Sequence, residues 1–124
     1  DQMLNLEGRA LDKPKDLDEA KSHLRSLSGR THTLETAITI AKDGKSVWQH
    51  LSQPKLHVRE LSDAFIDAYV ETAGDVLLAT VGAYQFEGLG AQIFSKIEGD
   101  FFSILGMPLL PLLEYLRSRG VLLT

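Results

Sequence analysis

The sequence contains no cysteine, so it offers neither a disulfide framework nor a thiolate metal site. It has no signal peptide and no apolar run of the roughly 18 residues that a bilayer span needs, and we expect a cytoplasmic location. Its formal net charge is -4 and its lysines and arginines do not cluster, which argues against a nucleic-acid partner. A nucleotide substrate is still compatible with this charge, because a few cations, backbone amides and a metal can hold a triphosphate.

A length of 124 residues suits one domain and is short for two. The chain has no initiating Met, begins at Asp1 within an expected strand, and contains no phosphate-binding loop. We therefore expect residues 1–124 to be a single domain that forms the C-terminal part of a longer protein. Alternatively, the chain is only the structural half of a split domain, with an open sheet edge that pairs with another chain.

The first 29 residues predict a strand or hairpin followed by a helix. Polar and apolar residues alternate over 2–6, and Glu7-Gly8 is a turn signal, so residues 1–11 favour a hairpin. Asp16 and Glu19 have the spacing of a capping box, in which each side chain bonds the other residue's backbone amide. The helix that follows is expected to end at Ser28-Gly29.

The middle of the chain predicts an antiparallel meander with one solvent-exposed face. Residues 31–41 favour a strand, and Asp43-Gly44 is a hairpin turn signal. The return strand covers residues 45–53, Pro54 interrupts it, and residues 55–60 continue with alternating apolar side chains.

The last half adds helices to this sheet. Ser62 is an expected N-cap for a helix over 63–71, and Met107-Pro108 opens a final helix. Residues 76–81 indicate a buried strand or a tight apolar crossing, while 88–97 fit either a strand or a short helix. The predicted class is mixed α/β.

Five of the ten glycines fall between Gly82 and Pro108, among apolar pairs and carboxylates. Glycine is required where φ is positive or where another group approaches the backbone closely, so this stretch is expected to bend around a site. A bulged strand packed in the core is the alternative. Gly88-Leu89-Gly90 begins like a dinucleotide fingerprint, but the third glycine is missing.

Several motifs together resemble the Maf family of nucleoside triphosphate pyrophosphatases. Towards the C-terminus they are Tyr84-Gln85-Phe86-Glu87-Gly88, Ile97-Glu98-Gly99-Asp100 and Leu105-Gly106-Met107-Pro108-Leu109. At the front they are Asp1-Gln2 with Lys13-Pro14, then Leu27-Ser28-Gly29-Arg30 with His32 and Thr36. The resemblance implies a largely antiparallel sheet flanked by helices. It also implies hydrolysis of a nucleoside triphosphate to the monophosphate and pyrophosphate.

Such hydrolysis needs an activated water, a divalent cation and a cationic group for the phosphate chain. The resemblance implies that Asp1 accepts the proton and binds the metal, Mg²⁺ or Mn²⁺, and that Lys13 contacts the triphosphate. The residues alone favour the simpler interpretation that Asp1 is an exposed, solvated acid. The family's Ser-x-Ser-Pro-Arg-Arg loop has no counterpart among these residues, which puts catalysis by this fragment alone in doubt.

Gln2 and the Glu87-Gly88 bend are the expected contacts for the base. Family members that act on thymidine and uridine triphosphates often carry Thr or Ser at the first position and Gln at the second, whereas Gln2 and Glu87 resemble the 7-methyl-GTP branch. A carboxylate at Glu87 can accept from the N1–H and the exocyclic amine of guanine, and it favours the positive charge of an N7-methylated ring. Ser103, where Asn is common, departs from the pattern.

None of the four histidines has a recognised metal-ligand spacing, and His32 is expected to pack in a strand rather than to act in catalysis. A second hypothesis is a nucleotide-binding or protein-interaction module that affects cell division or septum formation without catalysis. The expected partner is a nucleoside triphosphate, with neither nucleic acid nor membrane, and a homodimer is a further hypothesis.

Overall fold

The protein is described by a computed structural model that covers residues 2–123. Its strands are β1 (Gln2–Leu6), β2 (Arg9–Leu11), β3 (Thr31–Lys42), β4 (Lys45–Ser52), β5 (Lys55–Val58) and β6 (Phe94–Glu98). Its α-helices are α1 (Leu17–Leu27), α2 (Asp63–Ala73), α3 (Phe101–Ile104) and α4 (Leu109–Ser118). The strands form one sheet in the order β2-β1-β3-β5-β6, with β4 also paired to β3, and all these pairings are antiparallel. The expected mixed α/β class is confirmed.

Both predicted hairpin turns form with two consecutive residues at positive φ. Glu7 and Gly8 have φ of 53° and 89°, and Asp43 and Gly44 have φ of 53° and 75°. Two-residue turns of this kind match the twist of the strands they join. They fix the registers of β1 with β2 and of β3 with β4.

Strand β3 carries partners on both of its edges. Residues 33–36 pair with β1, while on the other edge residues 36–42 pair with β4 and residues 31–33 with β5. Pro54 separates β4 from β5, and its carbonyl still accepts from the Leu34 N–H at 3.0 Å. Strands β4 and β5 thus pair with β3 in one register, as the return strand that Pro54 interrupts was predicted to do, and the 12 residues of β3 are long enough for both.

Helix α1 begins and ends as the sequence predicts. Asp16 Oδ1 accepts from the Glu19 N–H at 2.8 Å, and Gly29 follows the helix at φ 68°. The reciprocal half of the capping box is absent among the contacts of the described residues. Glu19 Oε1 accepts instead from the Lys15 N–H at 3.3 Å.

Helices α1 and α2 share one apolar core with the inner face of the sheet. Ser62 caps α2 by accepting from the Phe65 N–H at 3.1 Å, as expected. The buried residues of these helices are Ala20, Leu24, Leu27, Ile66, Tyr69 and Val70. They pack against buried strand residues that include Leu4, Leu34 and Leu56. The apolar stripes of α1 and α2 thus face the sheet.

The chain between α2 and α4 departs furthest from the prediction. Residues 74–79 form a 3₁₀ helix, so the strand alternative over 76–81 is wrong. Residues 89–93 form another 3₁₀ helix that runs directly into β6, so the segment 88–97 contains both a helix and a strand. Helix α3, which the Asp100 side chain caps, was not predicted from the sequence.

The glycines of this stretch bend the backbone as expected. Gly82, Gly99 and Gly106 have φ of 80°, 125° and 117°. At Gly82 a Cβ would lie 2.6 Å from Leu4 Cδ1, so both its φ and its space call for glycine.

The final helix packs loosely. Pro108 is the N-cap of α4, one position before the first turn where it was expected, and none of the α4 residues is buried. Tyr115 stacks on Trp48 of β4 with ring centroids 5.0 Å apart. Across the described part of the chain, no helix has the length and apolar character to cross a membrane.

Candidate active site

The first hairpin brings Gln2 and Lys13 together. Strands β1 and β2 pair with Leu4 opposite Leu11, and two residues further along, the same register brings Gln2 level with Lys13. Both residues line the same two cavities. The hairpin turn therefore explains why these residues meet at one edge of the sheet.

The backbone of residues 84–90 carries Glu87 to the opposite side of the site. The Gly88 and Gly90 N–H groups both donate to the Gln85 carbonyl at 3.1 Å. The Gln85 N–H donates to the Tyr69 hydroxyl of α2 at 3.3 Å. A Cβ at Gly90 would overlap the Gln85 backbone, so this tight turn requires glycine there. Gly88 itself has a negative φ of -112°.

A cavity of about 350 Å³ lies between the hairpin and this bend. Gln2, Lys13 and Glu87 all line it, which brings together three of the residues expected to bind substrate. Gly88 is not among the described residues that line it, and Asp1 lies outside the described residues. Most of the remaining wall is apolar: Leu34, Ala79, Val81, Tyr84, Phe86, Ile104 and Leu105. Apolar side chains together with several polar groups in one cleft are typical of small-molecule sites.

A wider cavity of about 720 Å³ adjoins the first and shares Gln2 and Lys13 with it. Asp12 and Glu35 add two carboxylates to its lining. The sequence analysis missed both of these residues. Asp12 directly precedes the Lys-Pro motif, which was an available signal, whereas Glu35 reaches the cavity because β3 pairs it with Met3 of β1.

The donor set around Lys13 suits a hard divalent cation. Mg²⁺ is commonly held by one or two carboxylates together with substrate phosphates, and Asp12 and Glu35 supply such oxygens. Glu35 Oε1 also accepts from Gln53 Nε2 at 3.0 Å. Within residues 2–123, no three His, Asp or Glu side chains converge to form a complete metal cage. The chemistry of the lining therefore fits a metal whose remaining ligands come from the substrate.

Gln2 is tied to the C-terminal end of α3. Its Nε2 lies 3.1 Å from the Ser103 carbonyl, 3.0 Å from the Ile104 carbonyl and 3.1 Å from Thr36 Oγ1. Thr36 Oγ1 in turn donates to the Ser103 carbonyl at 3.0 Å. These bonds connect the first strand of the chain to residues about a hundred positions later.

His32 belongs to the core beside the cavity. Its Nε2 lies 2.8 Å from the Tyr84 hydroxyl, and both rings are buried. Burial, with a smaller contribution from the nearby His57, lowers the pKa of His32 to about 4, and burial raises the pKa of Tyr84. Both groups are therefore neutral at pH 7, and their bond positions Tyr84 in the cavity wall.

A separate group of hydrogen-bonded and charged side chains surrounds His57 on β3, β5 and β6. His57 Nε2 lies 2.6 Å from Glu98 Oε2, and His57 Nδ1 lies 2.8 Å from Thr31 Oγ1. The hydrogen bond from His57, together with the charge of Lys96, lowers the pKa of Glu98. None of these four residues lines the cavities described above.

A family model described as Maf-like protein matches residues 1–119 of this chain. A protein named nucleoside triphosphate pyrophosphatase from Hyphomonas neptunium is 64% identical over the whole chain, which covers 63% of that relative. One of the same name from Rhodospirillum rubrum is 52% identical over the whole chain and 61% of the relative. A 7-methyl-GTP pyrophosphatase from Rhizobium meliloti is 50% identical over 98% of this chain and 61% of the relative. The chain thus spans about three fifths of the length of these curated relatives.

Proposed function

The chain belongs to the Maf-like protein family, and we propose that the protein hydrolyses nucleoside triphosphates to the monophosphate and pyrophosphate. The observation that carries this proposal is the cavity that Lys13, Gln2 and Glu87 line together. A cation for the phosphate chain and a carboxylate for the base, in one cavity, match the two parts of a nucleotide. The names of the relatives from Hyphomonas neptunium and Rhodospirillum rubrum agree with this activity.

In the proposed reaction, the oxygen of a water attacks the α-phosphorus. The bond from that phosphorus to the bridging oxygen breaks, and pyrophosphate leaves with the electron pair. The Asp1 carboxylate takes the proton of the water, a role that rests on the family resemblance. Lys13 stabilises the negative charge that develops on the phosphate chain.

A divalent cation completes this proposal. Asp12 and Glu35 would hold it beside Lys13, together with Asp1. When bound, Mg²⁺ or Mn²⁺ neutralises charge on the phosphate oxygens. The residues of the chain then have to orient the substrate and to accept one proton.

Lys13→Met tests the phosphate contact. We expect kcat/KM for pyrophosphate release to fall by about a hundredfold, the usual effect of losing one group that stabilises developing charge. Lys15→Met is the matched control, because Lys15 is exposed and is not among the cavity-lining residues. Equal activity of the two variants would contradict the proposal.

The substrate we propose is 7-methyl-GTP. Glu87 can accept from the N1–H and the amine of the guanine edge, and its negative charge favours the methylated, positively charged ring. Phe86, which also lines the cavity, offers an aromatic face to such a cation. The name of the Rhizobium meliloti relative points to the same substrate for that protein.

Pyrophosphate release from 7-methyl-GTP, GTP, dTTP and UTP tests this specificity. We expect 7-methyl-GTP to give the highest kcat/KM, and Glu87→Gln to reduce its advantage over GTP by about tenfold. Glu114→Gln, an exposed change on α4, should leave the ratio unchanged. Faster turnover of the pyrimidine nucleotides would reject the substrate assignment.

Asp1→Asn distinguishes the enzyme from a binding module that acts in cell division without catalysis. The enzyme proposal expects loss of pyrophosphate release with an unchanged denaturation midpoint. A variant that keeps full activity would exclude Asp1 as the proton acceptor.

Association into a homodimer is also part of the proposal. The order of the strands leaves β2 and β6 at the ends of the described sheet, where another chain can pair. Sedimentation should give twice the mass of one chain, and a monomer at micromolar concentration would contradict this.

A further inference from the structure

We propose that Asp100 is a positioning residue that holds the Gln2 carboxamide in one orientation through Ser103, and so sets the affinity of the site for its base. This inference rests on the proposed function, in which Gln2 contacts the base. Asp100 is distant from Gln2 in sequence, but two hydrogen-bonded links join them.

The orientation of the Gln2 amide follows from its surroundings. The carbonyl oxygens of Ser103 and Ile104 can only accept, so the group that lies 3.0 to 3.1 Å from both must be the NH₂. Thr36 agrees with this assignment, because its hydroxyl hydrogen goes to the Ser103 carbonyl and its lone pair remains for Gln2. The NH₂ therefore faces protein acceptors, which fixes the orientation of the Gln2 carboxamide.

Two of the three acceptors that fix Gln2, the carbonyls of Ser103 and Ile104, belong to the end of α3, a helix of four residues. So short a helix does not hold its shape alone, since few of its backbone groups find partners within it. Its N-cap is Asp100, whose Oδ2 accepts from the Ser103 N–H at 3.1 Å and from Ser103 Oγ at 2.9 Å. Ser103 is fully buried, so in the intact protein its N–H and its hydroxyl depend on Asp100 as their acceptor.

Ser103 therefore links Asp100 to Gln2. Its N–H and its hydroxyl donate to the Asp100 carboxylate, and its carbonyl accepts from Gln2 and from Thr36. Asp100 does not line either cavity next to Lys13, so its carboxylate acts as a cap and not as a group that touches substrate. If the cap is lost, α3 samples other conformations and Gln2 loses its fixed orientation.

The test compares Asp100→Ala with Asp100→Asn. Both remove the charge, but asparagine caps helices about as well as aspartate, whereas alanine does not. For 7-methyl-GTP we expect Asp100→Ala to raise KM by about five- to tenfold, the factor that corresponds to losing an N-cap, because only a fraction of molecules then holds Gln2 correctly. Asp100→Asn should stay within about twofold of the original protein.

A second measurement does not depend on activity. The side-chain NH₂ of Gln2 should exchange its hydrogens slowly in the original protein and in Asp100→Asn, and about fivefold faster or more in Asp100→Ala, as followed by NMR. If no nucleotide is hydrolysed yet this pattern holds, the proposed function fails while the positioning role stands. If nucleotides are hydrolysed and the exchange rate does not change in Asp100→Ala, the positioning role fails.

Two further outcomes decide the matter. Equal loss of activity in Asp100→Asn and Asp100→Ala would overturn the inference, because it would mean that the charge of Asp100 is needed. If Asp100→Ala does not fold, Ser103→Ala replaces it, since this change removes the hydroxyl bond and keeps the amide bond. A two- to threefold rise in KM is then expected, and an unchanged KM with unchanged Gln2 exchange would overturn the proposal.

Discussion

The buried histidine makes the stability of this protein depend on pH in a defined direction. His32 is 1% exposed, and its pKa is lowered from 6.5 to about 4, mainly by burial. Between these two values the unfolded chain binds a proton that the folded protein does not bind. The free energy of unfolding must therefore fall as the pH falls through this window, and the stability due to neutral His32 is fully present only above pH 6.5.

The size of the effect follows from the two pKa values. Relative to pH 7.5, His32 should lower the free energy of unfolding by about 1.4 kcal/mol at pH 5.5 and by about 2.5 kcal/mol at pH 4.5. Urea denaturation followed by far-UV circular dichroism at these three pH values measures it. Carboxylates also titrate near pH 4.5, so the quantity to compare is the difference between the original protein and a variant that lacks the imidazole.

His32→Gln is that variant, and His50→Gln is its control. Glutamine cannot gain a proton in this range, so the pH-dependent loss should shrink by about 2 kcal/mol in His32→Gln even if the variant is less stable throughout. His50 lies half-buried on β4, and its replacement leaves His32 in place, so the slope due to His32 should persist. If His32→Gln keeps the same pH dependence as the original protein, the reasoning about the buried pair is wrong.

Other changes test the packing and the proposed chemistry. Tyr84→Phe removes the hydroxyl that bonds His32 and should cost about 1 to 3 kcal/mol in urea denaturation, since it leaves a buried ring nitrogen unpaired; no loss would contradict this. Gly82→Ala should lower the free energy of unfolding by about 1 to 3 kcal/mol more than Gly8→Ala does. Both sites have positive φ, but only at Gly82 would the methyl group collide with Leu4, and equal midpoints would count against the packing argument. EDTA should abolish pyrophosphate release and Mg²⁺ should restore it, whereas activity that resists the chelator would exclude the metal.

The local structure was predictable where a few neighbouring residues determine it. The turns at Glu7-Gly8 and Asp43-Gly44, and the caps at Asp16 and Ser62, all occur where the sequence places them. Each depends on the side chain or the φ preference of the residues at that position.

Long-range pairing was not predictable to the same extent. No local pattern specifies that β1 pairs with the other edge of β3, or that β6 pairs with β5. The 3₁₀ segments at 74–79 and 89–93 form because the packing around Leu77 and Gly90 outweighs their apolar, strand-like composition.

The candidate site also contains some residues that the sequence indicated and others that only the fold brings into place. The motifs indicated Gln2, Lys13 and Glu87, and the structure brings these three to one cavity. Glu35 and Asp100 act through strand register and through α3, so their positions emerge only after the chain is folded. The motif that contains Asp100 was recognised, but its sequence does not reveal that the carboxylate serves as a cap.

Residues 37–52 of β3 and β4, here called the β3–β4 ribbon, determine what tryptophan fluorescence can measure in this protein. None of residues 37–52 is buried, and the single tryptophan of the chain, Trp48, projects from this ribbon to stack on Tyr115. Its fluorescence therefore reports whether the ribbon lies against α4, not whether the domain is folded. An experimenter who follows indole emission would record the ribbon detaching, and would underestimate the stability of the domain beneath it.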